Sequence, residues 1–521
     1  MNLKISRVFV TALAVLCFSV APFAQQPADV AKPDAAKPSA AATEATAAPK
    51  VAEETAPIVT HHEVHAGGKL LKYTATVGLM PLKNEKGETE ANIFYMAYTL
   101  DQPEGTKTKR PLMFSFNGGP GAASVWLHLG AIGPRQIKMQ PEGFMPAPPY
   151  QVTDNNDTWL TQTDLVFLDT VGTGYSRAVK PELRPKFLGV QGDIKSVGEF
   201  IRLYLTRYER WSSPLFLVGE SYGTTRASGL SGYLLQHGIA LNGIVLVSAV
   251  LNFETLEFVP GNDLPYQLYL PSYTATAWYH KKLDSSLGDL KTALKASEQF
   301  AAGPYADALA KGDRLTAQEH QQIVEGLAKF TGLSKIYIEQ SNLRVDEPHF
   351  TRELLRDERK SAGRIDSRFS GVESDGVAET STYDPFVSAI VPPYTAAVNS
   401  YIRGELGYKS DEEYYVLGGG FHHNEWDWGN AREGFPNVTG SLRTAFAQNP
   451  YMKLFVANGY FDLATPYFAT EYTFAHMGLQ PDEKKRISAG YYEAGHMMYV
   501  RQSDMQKLHS DVANFIGSAL Q

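Results

Sequence analysis

From about residue 58 to its end, the chain alternates short, nearly continuous apolar runs with longer amphipathic segments. Nearly continuous apolar runs are typical of strands that a sheet buries on both faces, and amphipathic segments are typical of helices packed on such a sheet. The alternation therefore predicts an α/β fold with a mixed, mostly parallel central sheet flanked by helices. The predicted strands cover residues 70–77, 93–98, 112–116, 165–168, 215–218, 243–247, 453–457 and 486–492.

Helix signals lie between and after these strands. One predicted helix follows Ser221 and ends near Gly238, because glycine suits the position just past a helix C-terminus. The last predicted helix starts at Ser503. Its apolar face carries Met505, Leu508, Val512 and Phe515.

Between about Asn252 and Tyr394 the strand-and-helix rhythm stops and helical patterns dominate. Thr316 and Glu319 have the spacing of a capping box, which marks the N-terminus of a helix. We therefore predict that residues 252–394 form a mostly helical cap, inserted over one end of the sheet.

The N-terminus predicts export. Lys4 and Arg7 precede an apolar run over residues 8–21, and the small residue Ala24 follows it. These features are typical of a signal peptide, here residues 1–24, and predict a periplasmic or secreted protein. Two other interpretations stay open: an uncleaved membrane anchor and lipid attachment at Cys17. After removal of the signal, no stable membrane span is expected.

Residues 25–57 are rich in Ala, Pro, Lys, Glu and Thr and contain almost no large apolar side chain. Such a composition cannot bury enough surface to offset the entropy of ordering, so we predict a disordered linker. The folded domain then covers residues 58–521.

Composition narrows the function classes. A net charge of −8 argues against a nucleic-acid-binding protein, which needs a basic face. The chain has one cysteine, Cys17, so an intramolecular disulfide is excluded. The sequence does not indicate the oligomeric state.

Residues 219–223 read Gly-Glu-Ser-Tyr-Gly, and they stand between a predicted strand and a predicted helix. In this context the G-x-S-x-G pattern predicts a nucleophile elbow, a tight turn that exposes the hydroxyl of Ser221. The N-terminus of the helix also favours developing negative charge. The alternative is an ordinary strand-to-helix turn with a capping serine.

Residues 116–121 read Phe-Asn-Gly-Gly-Pro-Gly and directly follow another predicted strand. Their backbone N–H groups, together with that of Tyr222, are candidates for an oxyanion hole. A simple glycine-rich turn is the alternative. A phosphate-binding loop is disfavoured, because no Gly-Lys-Ser/Thr follows.

A nucleophilic serine needs a base, and the base needs an orienting acid. Asp462 and His496 each follow a predicted strand, at the sheet edge where α/β proteins place their sites. The chain order Ser221, Asp462, His496 is that of α/β-hydrolases. We therefore predict these three residues as the catalytic triad.

Two histidine groups are candidate metal sites. His61, His62 and His65 lie close together, and residues 422–425 read His-His-Asn-Glu. Neither has a recognised metal-binding spacing, so both are predicted to be solvated loops. No metal and no cofactor are expected.

Five sequence blocks stand out along the chain. They are residues 117–121 (Asn-Gly-Gly-Pro-Gly), 169–176 (Asp-Thr-Val-Gly-Thr-Gly-Tyr-Ser), 219–223, 458–462 (Asn-Gly-Tyr-Phe-Asp) and 494–497 (Ala-Gly-His-Met). Together these blocks resemble the serine carboxypeptidase family. The resemblance implies an α/β-hydrolase fold and a peptidase that releases C-terminal residues through an acyl-enzyme on Ser221. Its expected partner is a peptide with a free C-terminus.

The resemblance also assigns roles around the implied triad. Gly119 and Tyr222 are implied to donate the oxyanion-hole N–H groups. Asn117 and Glu220 are implied to bind the terminal carboxylate of the substrate. Like charges raise the pKa of a carboxyl group, so a Glu220 placed beside that carboxylate favours activity in acid. The residues implied to flank the site of the leaving residue are Thr465 and Met497.

The sequence departs from the family pattern at Ser115 and Ala131, where the family has a tryptophan and a glutamate. Arg135 is an alternative source of charge for the terminal carboxylate. These departures keep a second hypothesis open, an esterase or acyltransferase that uses the same triad. A third hypothesis, a non-catalytic binding protein, conflicts with the intact Ser, Asp and His.

Overall fold

A computed structural model of the protein describes residues 55–103, 105–106, 109–429 and 434–521. These residues belong to one compact unit. The predicted signal peptide and nearly all of the predicted linker lie outside the described residues, and both stay predictions.

The strands of the described ranges follow in chain order. They are β1 (Ile58–Ala66), β2 (Lys69–Lys83), β3 (Thr89–Leu100), β4 (Leu112–Phe116), β5 (Arg135–Ile137), β6 (Val152–Asp154), β7 (Asp164–Leu168), β8 (Arg177–Ala178), β9 (Leu215–Ser221), β10 (Gly243–Ala249), β11 (Lys360–Ala362), β12 (Ser370–Val372), β13 (Lys453–Gly459) and β14 (Ile487–Tyr492).

The α-helices of the same ranges are numbered in the same way. They are α1 (Val125–Leu127), α2 (Val190–Arg207), α3 (Tyr222–Gln236), α4 (Leu264–Tyr279), α5 (Leu290–Phe300), α6 (Ala306–Lys311), α7 (Ala317–Thr331), α8 (Lys335–Gln340), α9 (Glu347–Glu353), α10 (Pro385–Gly404), α11 (Thr439–Gln448), α12 (Tyr467–Ala475), α13 (Pro481–Lys484) and α14 (Gln502–Ala519). Within these ranges no helix combines the length and the apolar character needed to cross a membrane.

The main sheet has the order β1-β2-β3-β7-β4-β9-β10-β13-β14, with β8 paired to β3. From β7 to β14 neighbouring strands are parallel, and β1, β2, β3 and β7 pair antiparallel. The predicted α/β fold with a mixed, mostly parallel sheet is confirmed. Every predicted strand overlaps a strand of this sheet.

One local prediction is wrong. His61, His62 and His65 lie in edge strand β1 rather than in a loop. Exposure alternates along β1, which buries fully only Val64 and Ala66, and four consecutive residues from Thr60 to Glu63 are polar, so the segment lacks the continuous apolar run of an inner strand.

The parallel strands are buried on both faces. In β9, Leu215 and Leu217 pack with α2, α3 and α11, while Phe216 and Val218 pack with α10 and α14 on the opposite face. Because successive strand residues point to opposite faces, a near-continuous apolar strand requires helices on both sides. The sheet is therefore the middle layer of three.

Between β10 and α10 the chain forms a separate helical layer, α4–α9, with its own apolar core that includes Tyr273 and Phe350. The predicted capping box at Thr316 and Glu319 is present at the start of α7. The predicted end of the cap at Tyr394 falls inside α10, so the cap boundaries stay a prediction.

The parallel strands set the place of the site. β4, β9, β13 and β14 all point their carboxyl ends to the same sheet edge, because neighbouring strands in this region are parallel. The loops that follow them carry Asn117, Asp462 and His496, and β9 ends on Ser221 itself. Sheet topology thus gathers residues that are far apart in the sequence.

Candidate active site

Ser221 occupies a strained turn. It is the last residue of β9 and the N-cap of α3, with φ 59° and ψ −130°. Such a conformation costs a non-glycine residue about 1–3 kcal/mol, so the surrounding structure must impose it. A Cβ atom on Gly219 would lie 2.1 Å from the carbonyl oxygen of Gly223, so the tight turn requires glycine. The predicted nucleophile elbow has this geometry.

The loop after β4 lies directly against this elbow. A Cβ atom on Gly118 would lie 2.4 Å from the Tyr222 nitrogen and 2.5 Å from the Gly223 nitrogen. Tyr222 is the first residue of α3, a position whose N–H has no acceptor within its own helix. Gly119, with φ +100°, follows in the same loop. The two predicted oxyanion-hole residues, Gly119 and Tyr222, therefore line the same cavity as Ser221.

Gly118→Ala is expected to destabilise the protein by about 3 kcal/mol, because the three atoms nearest to the added methyl group are all backbone atoms that cannot rotate away. Equilibrium unfolding in urea measures the effect. The matched control is Gly440→Ala in α11, where an added Cβ has no heavy atom within 4 Å and alanine favours the helix. Equal stability of the two variants would contradict the close contact between loop and elbow.

Asp462 and His496 form a buried pair. His496 Nδ1 lies 2.8 Å from Asp462 Oδ2, and both side chains are almost fully buried. Asp462 also accepts hydrogen bonds from the backbone N–H groups of Ala464 and Thr465 and from the Thr465 hydroxyl. Burial alone would lower the pKa of His496, but the charge and hydrogen bond of Asp462 outweigh it and raise that pKa above 6.5. This is the arrangement of a base with its orienting acid.

A segment of the predicted cap holds this pair in place. The His496 N–H donates to the Ile365 carbonyl at 2.8 Å, and the Gly495 N–H donates to Asp366 Oδ2 at 3.1 Å. Ser367 donates through its N–H and its hydroxyl to the Phe461 carbonyl, one residue before Asp462. The acid loop and the base loop are therefore tied to the same short segment, residues 365–367.

Sequence reasoning missed this segment. Asp366 is fully buried and pairs with Arg368 at 2.6 Å, so its charge is compensated inside the protein. The sequence around it has neither a motif nor a periodic pattern, and a compensated buried aspartate looks like any surface aspartate in a sequence.

Asn117 and Glu220 are buried beside Ser221. Glu220 is 4% exposed, and burial is the main cause that raises its pKa to about 7. Asn117 Oδ1 accepts a hydrogen bond from the Leu127 N–H at 3.1 Å. The Asn117 carbonyl accepts a hydrogen bond from Arg226, which in turn pairs with Asp193 at 2.7 Å, both fully buried. An internal ion pair thus fixes the position of Asn117.

One further residue belongs to this group and was not predicted. The Tyr499 hydroxyl donates a hydrogen bond to Glu220 Oε2. Its nearness to His496 in the sequence is the only signal that pointed to it.

These residues surround a cavity of about 640 Å³. Asp462 lies behind His496 and Tyr499 lies behind Glu220, and neither is part of the wall. Another part of the wall comes from the segment 347–384, including Glu347, Arg364 and Tyr383. The predicted site residues that line the cavity are Asn117, Gly119, Glu220, Ser221, Tyr222, Thr465, His496 and Met497.

Two substrate-binding predictions gain detail. Thr465 lines the cavity, but its hydroxyl bonds to Asp462 and lies 3.2 Å from His496 Nδ1, so it supports the acid and the base directly. Met497 lines the cavity and is 4% exposed. Arg135 is not in the cavity wall, because it pairs with Asp154 and Glu405 instead. It does not supply the charge proposed for it.

The departures from the family pattern are also visible. Ser115 is fully buried in β4, and its hydroxyl has no hydrogen-bond partner among the described residues. Ala131 is 2% exposed in the turn that follows α1. Across the described ranges, no group of three or more His, Cys, Asp or Glu side chains is arranged to hold a metal ion.

Solved structures similar to this chain include a proline iminopeptidase from Mycobacterium smegmatis, with a TM-score of 0.35 and 12% identity over 88% of this chain and 99% of that one. A carboxyl esterase from Bacillus coagulans has a TM-score of 0.33 and 11% identity over 85% of this chain and 99% of that one.

The chain is also similar in sequence to proteins named as serine carboxypeptidases. "Serine carboxypeptidase S10 family member 1" of Dictyostelium discoideum is 24% identical over 398 residues, which is 74% of this chain and 85% of that protein. "Serine carboxypeptidase-like 13" of Arabidopsis thaliana is 26% identical over 32% of this chain and 38% of its own length. A family model described as serine carboxypeptidase matches residues 72–509. That range contains every residue of the cavity wall described above, and the chain belongs to the serine carboxypeptidase family.

Proposed function

We propose that the protein removes C-terminal residues from peptides through an acyl-enzyme on Ser221. The observation that carries the proposal is the shared cavity: the buried Asn117 and Glu220, suited to a terminal carboxylate, line the same wall as Ser221 and His496. A peptide whose carboxylate is held there places its last peptide bond near the hydroxyl of Ser221.

The chemistry follows from these positions. His496 takes the proton of the Ser221 hydroxyl, and Ser221 Oγ attacks the carbonyl carbon of the last peptide bond. The N–H groups of Gly119 and Tyr222 hold the resulting oxyanion, and each such donor typically contributes about 100- to 1000-fold in rate. His496 then gives the proton to the leaving nitrogen as the C–N bond breaks. Water attacks the acyl-enzyme with His496 again as base, which restores Ser221.

Two protonation states set the pH dependence. Glu220 binds a carboxylate only when protonated, which holds below its pKa of about 7. His496 acts as a base only when neutral, which holds above its own raised pKa. Because the two groups interact, they lose their protons in two steps whose pKa values belong to the pair rather than to either residue. The active form carries one proton for the pair, on Glu220. Activity is therefore expected to be bell-shaped, with an optimum close to neutral pH, between the titrations of His496 and Glu220.

The experiment compares N-blocked dipeptides with a free and an amidated C-terminus, measuring kcat/KM from pH 4 to pH 9. Protonated Glu220 can donate a hydrogen bond to the terminal carboxylate, whereas ionised Glu220 repels it. The free-acid peptide is therefore expected to be preferred over the amidated one about 10-fold or more below pH 7. This preference should shrink as the pH rises through the pKa of Glu220. Equal cleavage of acid and amide at every pH would contradict carboxylate recognition.

A second candidate function keeps the triad but changes the acyl substrate. Ser115 and Ala131 stand where the family has a tryptophan and a glutamate, and these departures keep an esterase or acyltransferase open as an alternative. Hydrolysis of small esters without any cleavage of free-acid peptides would support this alternative over the first.

We also propose that the protein is exported to the periplasm or secreted. The proposal rests on Lys4, Arg7 and the apolar run over residues 8–21. N-terminal sequencing of the mature protein tests it, and an N-terminus still at Met1 would contradict cleavage after Ala24.

A further inference from the structure

Glu220 is enclosed by groups from several elements. His496 and Asp462 face it from the loops after β14 and β13, Asn117 faces it from the loop after β4, and Tyr394 faces it from α10. Tyr499, in the turn before α14, donates the hydrogen bond to Glu220 Oε2. Of the two carboxyl oxygens, Oε2 is therefore committed to Tyr499.

Tyr499 is itself held rigidly. It is 1% exposed, and burial together with the charge of Glu220 raises its pKa well above 10, so the hydroxyl keeps its proton. A Cβ atom on Gly130 would lie 2.8 Å from Tyr499 Cε2 and 2.5 Å from the Tyr394 hydroxyl. The absence of a side chain at Gly130 leaves the space that the two tyrosine side chains occupy. The hydroxyl of Tyr499 is thus a fixed point beside Glu220.

Asn117 contributes a second oriented donor. The Leu127 N–H occupies Asn117 Oδ1, which fixes the orientation of the side-chain amide. Its Nδ2 group is buried and faces the Glu220 carboxyl group and the Tyr499 hydroxyl, without a well-formed hydrogen bond to either. Asn117 lines the cavity beside Glu220, so its amide can donate to an acceptor on a bound ligand.

We propose that Tyr499 is a positioning residue for substrate recognition, which holds Oε2 of Glu220 as an acceptor so that the proton stands on Oε1 and faces the terminal carboxylate of the peptide. A protonated carboxyl group has one carbonyl oxygen and one O–H donor, and the donor of Tyr499 decides which oxygen is which. Oε1–H and the Asn117 amide then form a pair of donors for one carboxylate. This inference rests on the proposed carboxypeptidase function.

Tyr499→Phe tests the proposal. The free-acid dipeptide is expected to show a KM about 10-fold higher below pH 6, because the proton of Glu220 is no longer oriented, with kcat within about 2-fold of the wild type. The KM of the amidated peptide should not change. Loss of a donor to the carboxylate raises the pKa of Glu220, so the alkaline limb should move to higher pH.

The matched control is Tyr492→Phe. This change also deletes a buried hydroxyl that donates to a carboxylate, Asp511 at 2.8 Å, but Asp511 is not in the cavity wall, whereas Glu220 is. It should leave both KM values and the pH profile as in the wild type. If Tyr499→Phe behaves like Tyr492→Phe, or raises the KM of acid and amide equally, the proposal is wrong.

Glu220→Gln provides an independent test should Tyr499→Phe fold poorly. With Tyr499 holding the side-chain oxygen of the glutamine, its NH₂ group faces the cavity at every pH and imitates protonated Glu220. The variant should keep its preference for the free acid at pH 8.5, where the wild type loses it. Absence of that preference at all pH values would overturn the role of Tyr499. A wild type that never discriminates acid from amide would instead overturn the proposed function itself.

Discussion

Replacing Ser221 with alanine is expected to lower kcat for the free-acid dipeptide about a million-fold. Without Oγ no acyl-enzyme forms, and the remaining rate comes from binding and from the oxyanion hole alone. The fold should survive, because alanine keeps the Cβ atom and the side chain of Ser221 makes no capping hydrogen bond to α3. The strained φ of 59° is imposed by the backbone and is equally present in the variant.

Stopped assays over hours measure the residual rate, and thermal unfolding checks the fold. The control is Ser231→Ala in the same helix, where the hydroxyl donates to the Ser228 carbonyl at 2.7 Å, away from the cavity wall. This control should keep full activity. If the Ser221 variant kept even one hundredth of the wild-type kcat, another group would have to be the nucleophile.

Asp462→Asn is expected to lower kcat about ten-thousand-fold, since an asparagine amide favours the wrong tautomer of His496. The carboxylate accepts bonds from His496, from the Thr465 hydroxyl and from two backbone N–H groups, and the amide cannot satisfy all of them. A loss of stability should therefore accompany the loss of rate. Steady-state kinetics and urea unfolding on the same sample separate the two effects.

The matched control is Asp289→Asn, at an exposed N-cap where the side chain accepts a hydrogen bond from the Thr292 N–H at 2.8 Å. It removes the same charge from a carboxylate with a backbone partner, and it should leave kcat unchanged. A kcat loss of less than 100-fold for Asp462→Asn would mean that His496 does not depend on Asp462 for its orientation.

The sheet and the core of the site were predictable because each has a strong local signature. Strands buried on both faces are nearly continuous apolar runs, and Ser221 follows one of them within a glycine pattern. The carboxyl ends of parallel strands must meet at one edge, so Asp462 and His496 could be placed beside Ser221 without any knowledge of distances.

The features that were not predictable depend on partners far away in the sequence. Tyr499 matters because Gly130 leaves room for its ring, and Asp366 matters because Gly495 stands opposite it. β1 was missed since an edge strand with several polar residues buries too little apolar surface to stand out. Each of these contacts is a property of the folded chain rather than of a local pattern.

The short segment 365–367 has a consequence for engineering. It lies in the same insertion as the outer wall of the cavity, yet it carries the backbone of His496 and of the residue before Asp462. The insertion therefore cannot simply be replaced by that of a relative, because the exchange would move Asp462 and His496 relative to each other. Redesign of selectivity has to be confined to the wall around Glu347 and Tyr383, with residues 365–367 kept as an anchor.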